Sequence, residues 1–98
     1  MNAFEKADLA RYLDEVCERA VEKFGRESQL SMLQEECGEL IAAINHYRRG
    51  RISDHVLRFE LVDVAVTLRQ AFLIIGDDEE FQKLLRHKLE RLDQQVIR

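Results

Sequence analysis

Val56-Leu57-Arg58-Phe59-Glu60-Leu61-Val62-Asp63-Val64-Ala65-Val66-Thr67-Leu68-Arg69-Gln70-Ala71-Phe72-Leu73-Ile74-Ile75 decides the fold. Fourteen of these 20 residues are apolar, and they do not keep to one stripe. At helical spacing, Leu61, Val64, Leu68, Phe72 and Ile75 form one face, while Phe59, Val62, Val66 and Leu73 form another. A helix apolar nearly all round is either buried or spans a membrane. Arg58, Glu60, Asp63 and Arg69 make spanning costly. The stretch therefore predicts a central helix, covered on two sides, with a second subunit as one source of cover. Glu60 and Asp63 then need an explanation, because a buried carboxylate costs several kcal/mol unless it is paired or metal-bound.

Outward from this helix, the same spacing continues. Leu9, Leu13, Val16, Ala20 and Phe24 make a first helix that Gly25 stops. A second is predicted to begin near Ser28 or Ser31, either of which suits a cap, and carries Leu30, Leu33, Cys37, Leu40, Ile41 and Ile44. It ends in Arg48-Arg49-Gly50-Arg51, where cations suit the negative helix end better than they suggest a phosphate clamp. Ser53 or Asp54 caps the third helix, which runs to Ile75 before Gly76. Asp77-Asp78-Glu79-Glu80 opens a fourth, with Asp77 and Glu80 as a capping pair and Phe81, Leu84, Leu85, Leu89, Leu92 and Val96 as its stripe. Three of the four glycines fall between helices. Gly38 falls inside the second, where it either permits close helix approach or keeps a site open.

Composition agrees with an all-α chain. There are 98 residues, no proline and four glycines, which leaves few turns for an all-β fold. One domain, 1–98, is expected. Such a chain buries only about 60–65% of its unfolded surface and gains by oligomerising. Two cysteines make no disulfide framework, and a reducing compartment fits. Cys17 and Cys37 read as small core residues. The first eight residues, Met1-Asn2-Ala3-Phe4-Glu5-Lys6-Ala7-Asp8, contain no apolar core of a signal peptide, so a cytoplasmic location is expected. Net charge is −4, with the excess acid in residues 1–80 and excess base in residues 81–98. An acidic body is a poor surface for a nucleic-acid backbone and a reasonable one for cations.

The acids are patterned. In Glu35-Glu36-Cys37-Gly38-Glu39, Glu36 and Glu39 lie about 60° apart around a helix and Glu35 and Glu39 about 40° apart. All three flank the apolar stripe. Glu60 and Asp63, three apart, also share a face. Antiparallel helices joined by a short turn bring the two sets around one space. Carboxylates at that density either rise in pKa or hold a cation. Oxygen-only ligands select Mg²⁺, Mn²⁺ or Ca²⁺. A di-iron bundle would use Glu-x-x-His pairs, but Ala43, Ile52 and Leu84 stand three before His46, His55 and His87. The histidines read as surface residues.

The pattern Glu35-Glu36-Cys37-Gly38-Glu39, twenty residues beginning at Leu40, then Glu60-Leu61-Val62-Asp63, resembles that of the MazG-like nucleoside triphosphate pyrophosphohydrolases of the all-α NTP pyrophosphatase superfamily. With its helices the matching region spans about half of the chain, residues 28–76. Lys88-Leu89-Glu90-Arg91 is similar to the family's Lys-aromatic-x-Arg segment, with Leu89 replacing the aromatic residue. The resemblance implies a four-helix MazG-like bundle that forms a homodimer or homotetramer through its central helices. It implies Glu36, Glu39, Glu60 and Asp63 as Mg²⁺ (or Mn²⁺) ligands, Glu35 as the residue that orients water or holds a second ion, and Lys83, Lys88 and Arg91 as phosphate partners. The implied activity is hydrolysis of (d)NTP to (d)NMP and pyrophosphate in nucleotide-pool house-cleaning, with neither nucleic acid nor membrane as partner. Two other readings stand beside it: phosphoribosyl-ATP pyrophosphohydrolase, and a non-catalytic helical interaction module with a structural cation site. Gln29, Gln34 and Asn45 are polar candidates for base contact that read first as ordinary surface residues.

Overall fold

The computed structural model describes residues 1–76 and 78–97. They form four helices, with no strand among the described residues: α1 (Ala3–Phe24), α2 (Arg26–Arg48), α3 (Asp54–Ile75) and α4 (Glu79–Ile97). Among the described residues, no helix is long and apolar enough to cross a membrane.

The helix ends follow from local chemistry. The Asn2 side chain accepts a hydrogen bond from the Glu5 N–H and starts α1. Gly25, at φ 90°, closes α1 and opens α2 at once. The second helix thus begins before either predicted serine cap, because the glycine turns the chain in one residue and no side chain is needed. At its other end the Arg51 N–H bonds to the His46 carbonyl (2.9 Å) and the Gly50 N–H to the Tyr47 carbonyl (2.9 Å). With Gly50 at φ 71°, this is a Schellman closure. The arginine cluster Arg48, Arg49 and Arg51 sits at this helix end. Ser53 caps α3 through the Val56 N–H (3.3 Å). Asp78 caps α4 through the Phe81 N–H (3.0 Å). The expected pair of Asp77 with Glu80 lies partly outside the described residues.

The third helix is the central one, packed between α1 and α2. It runs antiparallel to α2, since Gln70 meets Gln29 while Glu60 and Asp63 meet Glu36. Arg69 pairs with Asp14 of α1 (Nε to Oδ1, 2.6 Å), and the Cys17 thiol points at the Val66 carbonyl (3.7 Å). On the other side Gln29 of α2 donates to Gln70 of α3. Burial is confined to a few small or polar side chains: Cys17, Ala43 and Ala71, with Gln29, Thr67 and Gln70. Cys17 matches its expectation. Cys37 does not: it is exposed. Gln29, expected at the surface, is buried, because its amide is held in the α2–α3 interface.

That amide pair sets a stability test. Gln70→Leu strips a buried amide of its partner and is expected to cost about 1–3 kcal/mol in urea denaturation. The double change, Gln29→Leu with Gln70→Leu, should recover part of the loss, since no orphaned polar group remains.

The fourth helix behaves differently. Phe81 at its start lies against Phe72 of α3 (ring centroids 4.8 Å apart). Beyond that start, α4 packs along none of the other helices among the described residues. The four expected helices are present, but within one chain three of them form the packed body.

Candidate metal centre

The α2–α3 hairpin places the acidic motif. Because these helices are antiparallel, residues near the middle of α2 meet residues in the first half of α3. Glu36, Glu60 and Asp63 come together there, each offering one carboxylate oxygen, and these oxygens lie within 4.8 Å of one another. Glu36 and Glu60 are half-buried, and Asp63 is exposed. The i, i+3 spacing of Glu60 and Asp63 puts both on the side of α3 that faces α2, while Val62 between them points elsewhere.

Two of the oxygens have no partner. Oε2 of Glu36 and Oε2 of Glu60 are shielded from solvent and make no hydrogen bond. A buried carboxylate oxygen without a donor is costly. Three acids crowd one space, and no cationic side chain among the described residues pairs with these two atoms. Burial raises the Glu36 carboxyl above its usual range, and the charges of Glu39, Asp63, Glu60 and Glu35 raise it further. The donor set fits a hard divalent cation: oxygen ligands only, two of them unpaired, and repulsion that a cation would relieve.

The remaining candidates sit around this group. Glu39 and Glu35 are exposed and stand outside the three. They act on Glu36 by charge, Glu39 more strongly. Gly38 meets open space: a Cβ built there touches nothing within 4 Å. Close approach of α3 therefore does not require this glycine, and the open-site alternative remains. Lys83, Lys88 and Arg91 are exposed on α4, and helix packing does not bring them beside the acids within one chain. Lys83 lies 3.4 Å from Glu79 on the same helix. Gln34 and Asn45 are exposed, as are all three histidines.

Sequence reading missed the buried amide pair and the outward position of Cys37. Gln29 and Gln70 carry no local signal, since only the register between α2 and α3 makes them meet. Compared with known protein families, curated proteins and solved structures, the chain finds no match.

Proposed function

We propose that the chain is a Mg²⁺-dependent nucleotide pyrophosphohydrolase that converts a (d)NTP to (d)NMP and pyrophosphate, as a cytoplasmic house-cleaning enzyme of the nucleotide pool. The observation that carries this is the convergence of Glu36, Glu60 and Asp63 with two buried, unpartnered oxygens. The motif resemblance supplies the reaction class.

Glu36, Glu60 and Asp63 would hold the cation, with Glu39 at its rim. A Mg²⁺ (or Mn²⁺) ion held by these carboxylates would supply positive charge against the polyphosphate and Lewis acidity toward the phosphoryl group and water. Glu35, exposed next to Glu36, would orient the water that attacks the α-phosphate or hold a second ion. Lys83, Lys88 and Arg91 would neutralise the phosphate oxygens. Since α4 does not lie along α2 or α3 of its own chain, a second copy of the chain would supply these cations. Assembly as a homodimer or homotetramer, with the central helices at the contact, belongs to the same proposal.

A nucleotide panel tests it. With Mg²⁺ and each of the common and oxidised (d)NTPs, phosphorus NMR should show a monophosphate and pyrophosphate from at least one. Release from phosphoribosyl-ATP alone would assign the histidine-pathway reaction. Release from no substrate, with the cation still bound, would leave a structural cation site in an interaction module.

A further inference from the structure

The surface area of the single chain is out of proportion to its mass. It exposes 8031 Å². A compact monomer of 11.5 kDa exposes roughly 5,800 Å². The excess is roughly 2,200 Å² per chain, and much of it is apolar. The radius of gyration is 16.0 Å, where a compact chain of this length has about 13 Å. No large apolar side chain is fully buried among the described residues. One chain therefore has secondary structure and a helix hairpin, but almost no core.

Two apolar surfaces stand bare. On α4, Leu85, Leu89, Leu92 and Val96 recur at intervals of four, three and four, the seam of a helix that packs against a partner. All four are exposed. On the body, an open groove of about 460 Å³ runs between α1 and α3, with Leu9, Leu13, Val62 and Val66 in its walls. A second hollow, of about 260 Å³, continues past Val62 to Phe59. Val62 is 59% and Phe59 is 61% exposed. The α4 seam and the α1–α3 groove are both apolar, and within one chain neither is covered.

We propose that α4 of one chain docks its Leu85–Leu89–Leu92–Val96 seam into the α1–α3 groove of a second copy, and that the exchange is reciprocal about a two-fold axis. A single contact type, used twice, then covers both surfaces. Pairing α4 with α4 would cover the seam and leave Leu9, Phe59 and Val62 in water. A two-chain assembly that removed the excess would bury roughly 4,400 Å² in total, within the range of obligate homodimers. The second copy is the occupant because both halves of the contact lie on one chain, and because the area missing from the monomer is what such a dimer needs. The exchange does not depend on whether the acids hold a metal.

Cysteine pairs test the register without relying on a variant that only unfolds. In a Cys37→Ser background, chains with Val62→Cys and chains with Leu89→Cys are given different tags, co-expressed and oxidised with copper phenanthroline. The expected product is a mixed disulfide between the two tagged chains. It should form several-fold more efficiently than between Val62→Cys and Gln94→Cys, which lies on the far side of α4. Light scattering of the unmodified chain at micromolar concentration should give twice 11.5 kDa or an even multiple. A clean monomer would overturn the proposal. So would disulfides confined to pairs of Leu89→Cys chains, or equal yields from Leu89→Cys and Gln94→Cys.

Discussion

Asp63→Asn and Glu60→Gln are each expected to lower Mg²⁺-dependent pyrophosphate release by on the order of 10²–10³-fold, the scale seen when one group that stabilises transition-state charge is removed. Each change keeps the shape of the side chain and removes its charge. Both residues contribute an oxygen to the group that lies within 4.8 Å, and the Oε2 of Glu60 is one of the two buried atoms without a partner. An amide there binds a hard cation poorly, so the loss should be partly relieved by raising Mg²⁺. The far-ultraviolet circular dichroism should stay helical, since neither side chain makes a bond on which a helix depends. Glu39→Gln should cost less than either, because Glu39 is exposed and reaches the site through its charge. Wild-type turnover in both Asp63→Asn and Glu60→Gln would remove these residues from the reaction.

The second large effect is on stability, and its sign is unusual for a site residue. Glu36→Gln should make the metal-free protein more stable at neutral pH and abolish its stabilisation by Mg²⁺. The cause is the raised Glu36 carboxyl, held up first by burial and then by four neighbouring acids. In the folded state this group keeps its proton to a higher pH than in the unfolded chain. Its contribution is therefore favourable below the ordinary carboxylate range and is lost as pH rises through the raised value. A bound cation removes the penalty by holding the carboxylate charged. Mg²⁺ at about 100 times its Kd should add roughly 2.7 kcal/mol of stability to the wild-type chain. Thermal melts with and without Mg²⁺ across pH 4–8 would read both effects. The Mg²⁺-induced shift should grow as pH rises through the upper carboxylate range in the wild type and vanish in Glu36→Gln. A shift that is independent of pH, or that survives the substitution, would separate Glu36 from the cation.

The helices were legible in the chain because three glycines with positive φ punctuate an otherwise unbroken helical period. The start of α2 was not, since Gly25 performs the work that a serine cap usually does and leaves no side-chain signature. The central position of α3 followed from its apolar residues on more than one face, and the structure places α1 and α2 on two of its sides. Within the acidic motif, spacing alone gave Glu35, Glu36 and Glu39 equal standing beside Glu60 and Asp63, and the resemblance set Glu35 apart. Which of the α2 acids turns inward depends on how the two helices cross, a tertiary property that the spacing does not encode. The same register hides Gln29 against Gln70 and leaves Cys37 in solvent. The seam on α4 could be read from its leucines, whereas its separation from the body could not, because amphipathicity records that a helix needs a partner and not which chain supplies it.

We propose that Glu36, Glu60 and Asp63 form a divalent-cation site. Electron paramagnetic resonance of Mn²⁺ tests it directly, since free Mn²⁺ gives a sharp six-line signal that weakens on binding. Titrating the wild-type chain into Mn²⁺ should diminish that signal to saturation at a fixed number of ions per chain, and the triple variant Glu36→Gln, Glu60→Gln, Asp63→Asn should leave it at full strength. An undiminished signal with excess wild-type protein, or equal loss of signal with the triple variant, would contradict the claim.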